Sequence, residues 1–244
     1  MSNNIPTLGG EKAKRKLNFF WLVDYSGSMG GKKIEMVNMA IKDVIPDIEK
    51  ACAADVDVIF RAIKFSSSAS WHVGPDGAPL NKFVWPDLSA SGETATAQAI
   101  KMLCQELTEE KIGVKQVPPV CVLISDGYCT EPQKEYDDAI SELDSLRWGQ
   151  KAIRLAIAIG GDENDYDEAQ LLKFVRQKEI GLLKAHNPNE LVQYIKWAST
   201  QATYGASHGK STTGAGGVAG ATDNVSLPPP PTPQPGSSVN MTPF

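Results

Sequence analysis

Asp24, Ser26 and Ser28 place three oxygen-bearing side chains at alternate positions, directly after the apolar run 19–23. Carboxylate and hydroxyl oxygens suit a hard cation such as Mg²⁺ or Mn²⁺ better than zinc or copper. The apolar run predicts a buried strand that ends at Asp24, and open α/β sheets bind ligands at the carboxyl ends of their strands. In an extended or tightly turning loop, the alternate spacing directs the three oxygens toward one side. The segment therefore predicts a metal-binding loop at a strand end.

Two later segments supply further oxygen ligands of the same kind. Thr94 precedes a run of good helix formers, and Asp126 closes a second buried strand, predicted over residues 118–125. Each segment also has an ordinary explanation, because Thr94 could cap a helix and Asp126-Gly127 is common turn chemistry. The occurrence of all three segments together, each at a predicted strand end or helix start, favours one shared metal site over three unrelated turns.

This combination resembles the metal-ion-dependent adhesion site of von Willebrand factor A (VWA) domains, whose pattern is Asp-x-Ser-x-Ser, a distant Thr and a later Asp. The resemblance covers about residues 17–200. It implies five metal ligands in the family's order, namely Asp24, Ser26, Ser28, Thr94 and Asp126. It further implies that the serines bind the ion directly, the threonine directly or through water, and the aspartates mostly through water.

The resemblance implies Mg²⁺ as the cofactor, with Mn²⁺ or Ca²⁺ as alternatives, and another protein as the partner. Mg²⁺ takes six oxygens at about 2.1 Å and loses water reluctantly, so a site with few charged ligands leaves the ion electrophilic. An open coordination position can then accept an aspartate or glutamate side chain of the partner. The residues expected to form the partner-binding rim are Tyr25, Met29, Glu93, Tyr128 and Asp162.

The acidic segment 162–167 does not match a calcium-binding EF-hand loop, because Tyr166 and Asp167 stand where an oxygen ligand and a glycine are required. Its charges are typical of the start of a helix. It follows a strand predicted to end at the same sheet edge as Asp24. We expect it to border the metal face and to influence which partners bind.

Two enzymatic interpretations of the first loop fit less well. A phosphate-binding loop has four residues between its glycines and a Ser or Thr after its lysine. Here three residues separate Gly27 from Gly31, and a second lysine replaces the hydroxyl. An aspartyl phosphotransferase with Asp24 as nucleophile commonly has a second carboxylate two residues later, where Ser26 stands. We therefore expect a binding protein rather than an enzyme, with a metal-dependent phosphatase or phosphotransferase as the alternative.

The alternation of apolar strands with amphipathic helices predicts a doubly wound α/β fold, with a mostly parallel sheet covered by helices on both faces. Strands are expected over 19–23, 55–65, 118–125, 152–159 and 181–185, and helices over 32–51, 94–109, 134–148, 167–177 and 189–202. The runs 71–73 and 82–85 flank Gly74-Pro75-Asp76-Gly77 and predict a hairpin or one antiparallel edge strand. A phase change near Arg61-Ala62 predicts a bulge. The strands that end at Asp24 and Asp126 are expected to be neighbours.

Composition divides the 244 residues into three parts. Residues 1–16 form a basic irregular segment, 17–204 the VWA-like domain, and 205–244 a tail rich in Gly, Ser, Thr and Pro. Such a tail buries too little apolar surface to fold, so it is expected to be disordered, with a polyproline II segment near its end. It is either a plain spacer or a short motif for a partner's groove.

Charge and apolar runs exclude several function classes. The net charge is −5 although the first sixteen residues are basic, so the middle of the chain is acidic, which argues against nucleic acid as its main partner. No stretch approaches the roughly 20 apolar residues of a membrane span, and the first apolar run is too short for a signal peptide. The four cysteines show neither zinc nor C-x-x-C spacing. A cytoplasmic location is the default expectation.

Within the family, the single-domain size and the Gly30-Gly31 pair resemble the compact bacterial VWA proteins of the tellurium-resistance, TerY-like type. That resemblance implies a metal-dependent adaptor in a bacterial stress, signalling or defence system. A kinase or phosphatase encoded nearby then becomes a candidate partner. Some of these relatives carry a C-terminal zinc ribbon, where this chain has a proline-rich tail. A second alternative is therefore an adaptor whose metal is structural and whose tail binds the partner.

Overall fold

A six-stranded sheet forms the centre of the protein, in a computed structural model that describes residues 14–54, 56–114, 116–208 and 226–232. The strand order across the sheet is β3-β2-β1-β4-β5-β6. The strands are β1 (Arg15–Asp24), β2 (Val56–Phe65), β3 (Ala69–Pro79), β4 (Val120–Ser125), β5 (Ile153–Ile159) and β6 (Leu183–Ala185). All neighbouring pairs are parallel except β2 and β3. The predicted α/β architecture, with a mostly parallel sheet and one antiparallel edge strand, is confirmed.

Helices cover both faces of this sheet. They are α1 (Lys32–Ala51), α2 (Thr96–Glu106), α3 (Glu109–Ile112), α4 (Gln133–Ser145), α5 (Arg147–Lys151), α6 (Glu168–Phe174) and α7 (Pro188–His208). The helices α1 and α7 pack together, and α2 packs on α4. Within the described residues, no helix is both long and apolar enough to cross a membrane.

The central strand β1 is buried on both faces of the sheet because its apolar run is continuous from residue 19 to residue 23. Phe19 and Trp21 enter the apolar core that contains residues of α1 and α7. Phe20 and Leu22 enter the second core, which contains residues of α2 and α4. Burial of alternate side chains in two cores anchors β1 and fixes the position of Asp24 at its end.

Of the two alternatives predicted for residues 71–85, the antiparallel edge strand is confirmed as β3 and the hairpin is not formed. The segment 74–77 does not turn the chain back but stays within β3, where it forms extra residues between the pairs Phe60–Ala78 and Ala62–Val73. Arg61 holds the segment there, since its Nε donates to the Pro75 carbonyl at 2.7 Å and its guanidinium also reaches the Asp76 carbonyl at 3.4 Å. The strand register therefore shifts near Arg61-Ala62 as predicted, but the extra residues belong to β3, because β2 pairs with β1 without interruption.

The segment expected as the second arm of that hairpin is irregular and is held by Asn38 of α1. The buried Asn38 amide oxygen accepts hydrogen bonds from the Trp85 indole at 3.0 Å and from the Leu88 amide at 2.9 Å. The Asn38 amide nitrogen donates to the Leu88 carbonyl at 2.9 Å. A single buried side chain thus anchors the segment that leads to Thr94.

The two ends of the domain differ from their expected limits. β1 begins at Arg15, and α7 continues to His208, so residues 205–208 belong to a helix rather than to the tail. In the segment 226–232, Leu227 is only 7% exposed and joins the core that contains α1 and α7. The other residues of the predicted N-terminal segment and tail, 1–13, 209–225 and 233–244, lie outside the described part of the chain.

Replacement of Asn38 by alanine is expected to lower the free energy of unfolding by about 2–4 kcal/mol, because the Trp85 and Leu88 groups would remain buried without their partner. Chemical denaturation measures this loss. The adjacent Met39 is 42% exposed, so Met39→Ala should change the same free energy by less than about 0.5 kcal/mol. Equal stabilities of the two variants would contradict the anchoring role of Asn38.

Candidate metal centre

The parallel pairing of β1 with β4 brings the two candidate aspartates together. Val23 lies opposite Ile124 in the strand register, so both strands end at the same edge of the sheet. Asp24 is fully buried and Asp126 is 1% exposed. The prediction that these strands are neighbours is confirmed, and two residues about 100 positions apart in the sequence share one location.

Asp24 is a buried carboxylate held from both sides. One of its oxygens, Oδ1, accepts a hydrogen bond from the Ser26 amide at 2.8 Å, and the other, Oδ2, accepts one from the Ser125 hydroxyl at 2.6 Å. Burial raises the pKa of Asp24 to about 6; these hydrogen bonds oppose the shift and the charge of Asp126 adds to it. In the described part of the chain, neither aspartate forms an ion pair with a lysine or arginine. This edge therefore concentrates negative charge that a cation would neutralise.

The two serines complete the first loop. A short 3₁₀ turn over Gly27–Met29 follows Ser26, and the Ser26 and Ser28 hydroxyl oxygens lie 3.1 Å apart. Ser26 is 1% exposed, whereas Ser28 is exposed to solvent. The two hydroxyls thus extend from the buried end of β1 to the protein surface.

The loop that carries Thr94 is hydrogen-bonded to this first loop. The Gly27 amide donates to the Gly92 carbonyl at 3.0 Å, and the Ser91 amide donates to the Tyr25 carbonyl at 2.7 Å. Gly92 has a φ of +80°, and a Cβ there would lie 2.5 Å from the Ser67 hydroxyl oxygen. Glycine at this position therefore allows the positive φ and the close packing of the Thr94 loop against Ser66 and Ser67, the residues that follow β2.

Thr94 is 4% exposed and lies two residues before α2 begins. The residue at the N-cap position is Ala95. The alternative interpretation of Thr94 as an N-cap is therefore wrong. Its hydrogen bonds in the described part of the chain use its backbone groups, with Thr130 as the partner.

Asp126 is held by its own turn and by the start of α6. Its Oδ1 accepts a hydrogen bond from the Tyr128 amide at 3.3 Å, and its carbonyl accepts one from the Asp167 amide at 2.9 Å. Gly127 has a φ of +80°, and a Cβ there would lie 2.8 Å from Cγ of Leu171. Asp167 also caps α6 by accepting a hydrogen bond from the Gln170 amide at 3.0 Å, which confirms the capping predicted for the acidic segment.

The donor chemistry of this site is that of a hard cation. Among the described residues, no group of three or more His, Cys, Asp and Glu side chains could hold a metal ion. The candidate ligands are instead two carboxylates and three hydroxyls, all of which offer oxygen. That set suits Mg²⁺, Mn²⁺ or Ca²⁺ and lacks the nitrogen and sulfur donors typical of zinc sites.

Four of the five predicted rim residues are accessible. Glu93, Tyr128 and Asp162 are exposed and Tyr25 is half-buried. The Tyr128 hydroxyl donates to the Asn164 carbonyl and so joins the Asp126 loop to the acidic segment. Met29 is fully buried in the core that contains α1, so its prediction as a rim residue is wrong. The 3₁₀ turn directs this apolar side chain into the core, where its burial is more favourable than exposure.

Ser125 is a further residue of the candidate site that the sequence pattern did not single out. Its hydroxyl donates to Asp24 and accepts a hydrogen bond from the Gly127 amide at 2.9 Å. It thereby fixes the Asp24 carboxylate and the turn after Asp126 relative to each other. Its position at the end of β4, directly before Asp126, was the available signal. Such a second layer of hydrogen bonds orients metal ligands in protein sites.

Replacement of Asp24 by asparagine is expected to stabilise the metal-free protein at pH 7.5 by about 1–3 kcal/mol, since the raised pKa of Asp24 means that burial disfavours its charged form. In the folded state this carboxyl binds its proton more tightly than in the unfolded chain. The contribution of Asp24 to the stability of the wild type therefore falls as the pH rises from about 4 to about 6, and the advantage of the variant over the wild type disappears toward pH 4.

Urea denaturation in EDTA across this pH range measures the difference. Asp43→Asn, at an exposed position of α1, is the matched control and should track the wild type. A variant that is less stable than the wild type at pH 7.5 would contradict the electrostatic cost assigned to Asp24.

Comparison with known proteins gives both a family match and a set of structural neighbours. The family model for the von Willebrand factor type A domain matches residues 19–196. No curated protein matches the chain. Solved structures with the same fold include a von Willebrand factor type A protein from Catenulispora acidiphila, at 16% identity and a TM-score of 0.60, with 78% of this chain and 43% of that chain covered.

Two further solved structures share this fold. The ArnB paralog VWA2 from Sulfolobus acidocaldarius has 16% identity and a TM-score of 0.56, with 76% of this chain and 45% of that chain covered. Proximal thread matrix protein 1 from the mussel byssus, in a structure with a zinc-occupied metal-ion-dependent adhesion site, has 17% identity and a TM-score of 0.57, with 78% and 46% covered.

At such identities the neighbours show the fold alone, and the chain spans less than half the length of these three proteins. The family match is broader evidence, because it extends from β1 into α7 and includes every candidate metal ligand. The chain belongs to the von Willebrand factor type A domain family.

Proposed function

We propose that this protein is a divalent-metal-dependent protein-interaction module. In this proposal Asp24, Ser26, Ser28, Thr94 and Asp126 form a complete metal-ion-dependent adhesion site. The bound ion accepts an aspartate or glutamate side chain of a partner protein at an open coordination position. VWA domains are a family of interaction modules that carry such metal sites, and this chain has the family's fold.

One observation carries the proposal: two buried carboxylates, Asp24 and Asp126, end adjacent parallel strands without a basic partner in the described residues. Burial of carboxylate charge without compensation is unfavourable. A divalent cation between the two strand ends would offset that cost. The nearby hydroxyls of Ser26 and Ser28 would supply neutral oxygen ligands, which leave the ion with most of its charge.

We infer Mg²⁺ as the physiological ion, with Mn²⁺ and Ca²⁺ as alternatives. The zinc in the mussel protein supports a divalent ion in a loop of this type. The all-oxygen donor set here favours a harder ion than zinc. Mg²⁺ retains water at the positions that the protein does not fill, and such a water can be exchanged for a carboxylate oxygen.

The exposed rim gives the partner site its selectivity in this proposal. Ser28 is exposed beside the buried Ser26, so the ion would be reached from this side. Glu93 and Asp162 add negative charge to the rim, whereas Tyr128 offers an aromatic surface that is 47% exposed. A partner carboxylate flanked by basic or aromatic side chains would therefore fit this face better than one within an acidic segment.

We do not propose catalysis at this site. Ser26 occupies the position two residues after Asp24 where a phosphotransferase commonly has a second carboxylate. Each described histidine contacts a backbone carbonyl: His72 that of Pro86, His186 that of Gly160 and His208 that of Tyr204. A phosphatase or phosphotransferase remains the alternative function, and hydrolysis of a phosphoester that is lost in Asp24→Asn would support it.

For the biological setting, we propose a cytoplasmic adaptor in a bacterial stress, signalling or defence system of the tellurium-resistance, TerY-like type. A kinase or phosphatase encoded nearby is the favoured partner. The assignment is supported by the resemblance of the Asp24 loop and the glycine pair after it to the TerY-like VWA proteins. Identification of the neighbouring genes tests it, and a neighbourhood without signalling proteins would contradict it.

Replacement of Asp24 by alanine is expected to weaken Mg²⁺ binding by about 100-fold, because ligands and groups that orient them each contribute 10- to 100-fold to affinity. Isothermal titration calorimetry with Mg²⁺ or Mn²⁺ measures this effect. Asp24→Asn serves as a second variant that keeps the side-chain volume, and Asp43→Ala is the matched control on α1.

Partner capture should depend on the same residues. Affinity purification with the full chain is expected to recover a partner in Mg²⁺, and to lose it in EDTA and in Asp24→Ala but not in Asp43→Ala. Capture that is unaffected by both EDTA and Asp24→Ala, yet lost when the exposed Pro228 and Pro229 are replaced by alanine, would favour the tail-mediated adaptor instead.

A further inference from the structure

The loop after β4 is joined to the Thr94 segment by a set of hydrogen bonds. Their side chains come from residues that are not among the five candidate metal ligands. Thr130 and Glu131, four and five residues after Asp126, make these bonds. Neither residue belongs to the adhesion-site pattern. We name this pair of residues with their bonds the 130–131 clamp.

Thr130 holds the Thr94 peptide groups on both sides. The Thr94 amide donates to the Thr130 hydroxyl at 3.1 Å. The Thr94 carbonyl accepts from the Thr130 amide at 3.0 Å and from the Thr130 hydroxyl at 3.3 Å. Since one residue holds both backbone groups of Thr94, rotation of this peptide segment is restricted, and so is the point from which its buried side chain extends.

Glu131 holds the start of α2, two residues after Thr94. Its Oε2 accepts a hydrogen bond from the Ala97 amide at 2.5 Å, and its Oε1 accepts one from the Gln98 amide at 3.2 Å. The residue at the N-cap position, Ala95, has no side chain able to do so. The α2 N-terminus is therefore capped by a carboxylate more than thirty residues away in the sequence. Its negative charge also stabilises this end of the helix, because the helix dipole is positive there.

The clamp joins two candidate ligands that come from different parts of the chain. Asp126 begins the loop that carries the clamp, and Thr94 receives its hydrogen bonds. The Thr94 segment is also tied to the end of β2, where the Ala95 amide donates to the Ser66 carbonyl at 2.6 Å. With these bonds in place, the backbone segments that carry Thr94 and Asp126 keep a fixed relation to each other.

We propose that Thr130 and Glu131 are positioning residues of the metal site, which set the Thr94 oxygen relative to Asp126 and thereby raise the affinity for the divalent ion. This inference rests on the proposed metal-dependent function. It assigns to these two residues a role that the five-ligand pattern does not include. Groups that orient metal ligands typically change affinity 10- to 100-fold; because Thr130 is itself exposed, we expect the lower end of that range.

The test is Mg²⁺ and Mn²⁺ titration of the full chain by calorimetry. Thr130→Val removes the hydroxyl at nearly constant volume and should weaken binding about 10-fold. Thr130→Ser keeps the hydroxyl and should bind within about twofold of the wild type. Thr108→Val is the matched control, since the Thr108 hydroxyl likewise accepts a hydrogen bond from a backbone amide, that of Lys111 at 3.4 Å. Metal binding by this variant should be unchanged.

A double-mutant cycle with Thr94→Ala distinguishes two causes of weaker metal binding. One is the loss of Thr94 positioning, and the other is a general destabilisation of the fold. If Thr130 acts through Thr94, Thr130→Val should have no further effect on metal affinity once Thr94 is alanine. Glu131→Ala should behave like Thr130→Val in the same cycle. Thermal unfolding in EDTA, performed for every variant, confirms that the metal-free proteins are folded at the titration temperature.

The outcomes distinguish this inference from the proposed function. A wild type that binds metal while Thr130→Val and Glu131→Ala bind it equally well would overturn the positioning role and leave the metal site intact. An equal loss of affinity from Thr130→Val in the presence and absence of the Thr94 hydroxyl would also overturn it. A wild type that binds neither ion would overturn the proposed function and this inference together.

Discussion

The parallel pairing of β1 with β4 is the interaction on which the candidate metal site depends. It brings Asp24 and Asp126 to the same edge of the sheet, with Ser125 between them as a hydrogen-bond donor to Asp24. The pairing is enforced by the two apolar cores, because each strand is buried on both faces and a shift of one residue would exchange the side chains between them. The energy of the cores thus maintains the position of the carboxylates.

The burial of these two carboxylates is electrostatically unfavourable, and it occurs at the proposed cation-binding site. Asp24 and Asp126 are almost completely buried, and burial raises the pKa of Asp24 to about 6. A hydrophobic residue at either position would relieve the cost but would remove an oxygen ligand. Local instability of this kind is common at functional sites, and here it coincides with the edge of the sheet at which α/β folds bind ligands.

The remainder of the site is held by hydrogen bonds between loops rather than by the sheet. The Gly92 carbonyl accepts a hydrogen bond from Gly27 of the first loop, and Asn38 anchors the segment that precedes the Thr94 loop. Thr130 then ties Thr94 to the loop after Asp126. Each tie uses a backbone group of a loop, so the geometry of the candidate ligands depends on residues outside the set of five.

The sequence by itself determined the fold class, the order of most elements and the five candidate ligands. Continuous apolar runs indicate strands buried on both faces, the 3.6-residue periodicity of α1 indicates an amphipathic helix, and polar residues at strand ends stand out against both patterns. Only the tertiary structure decided that Met29 is buried, that the segment 74–77 stays within β3 beside Arg61, and that Leu227 enters the core.

Only the tertiary structure, too, brought Ser125, Thr130 and Glu131 into contact with Asp24 and the Thr94 segment. The physical reason is the range of the interactions. Periodicity and turn chemistry act between residues close in the chain, whereas these side chains find partners more than thirty positions away. Such contacts exist only once the sheet has placed the loops side by side.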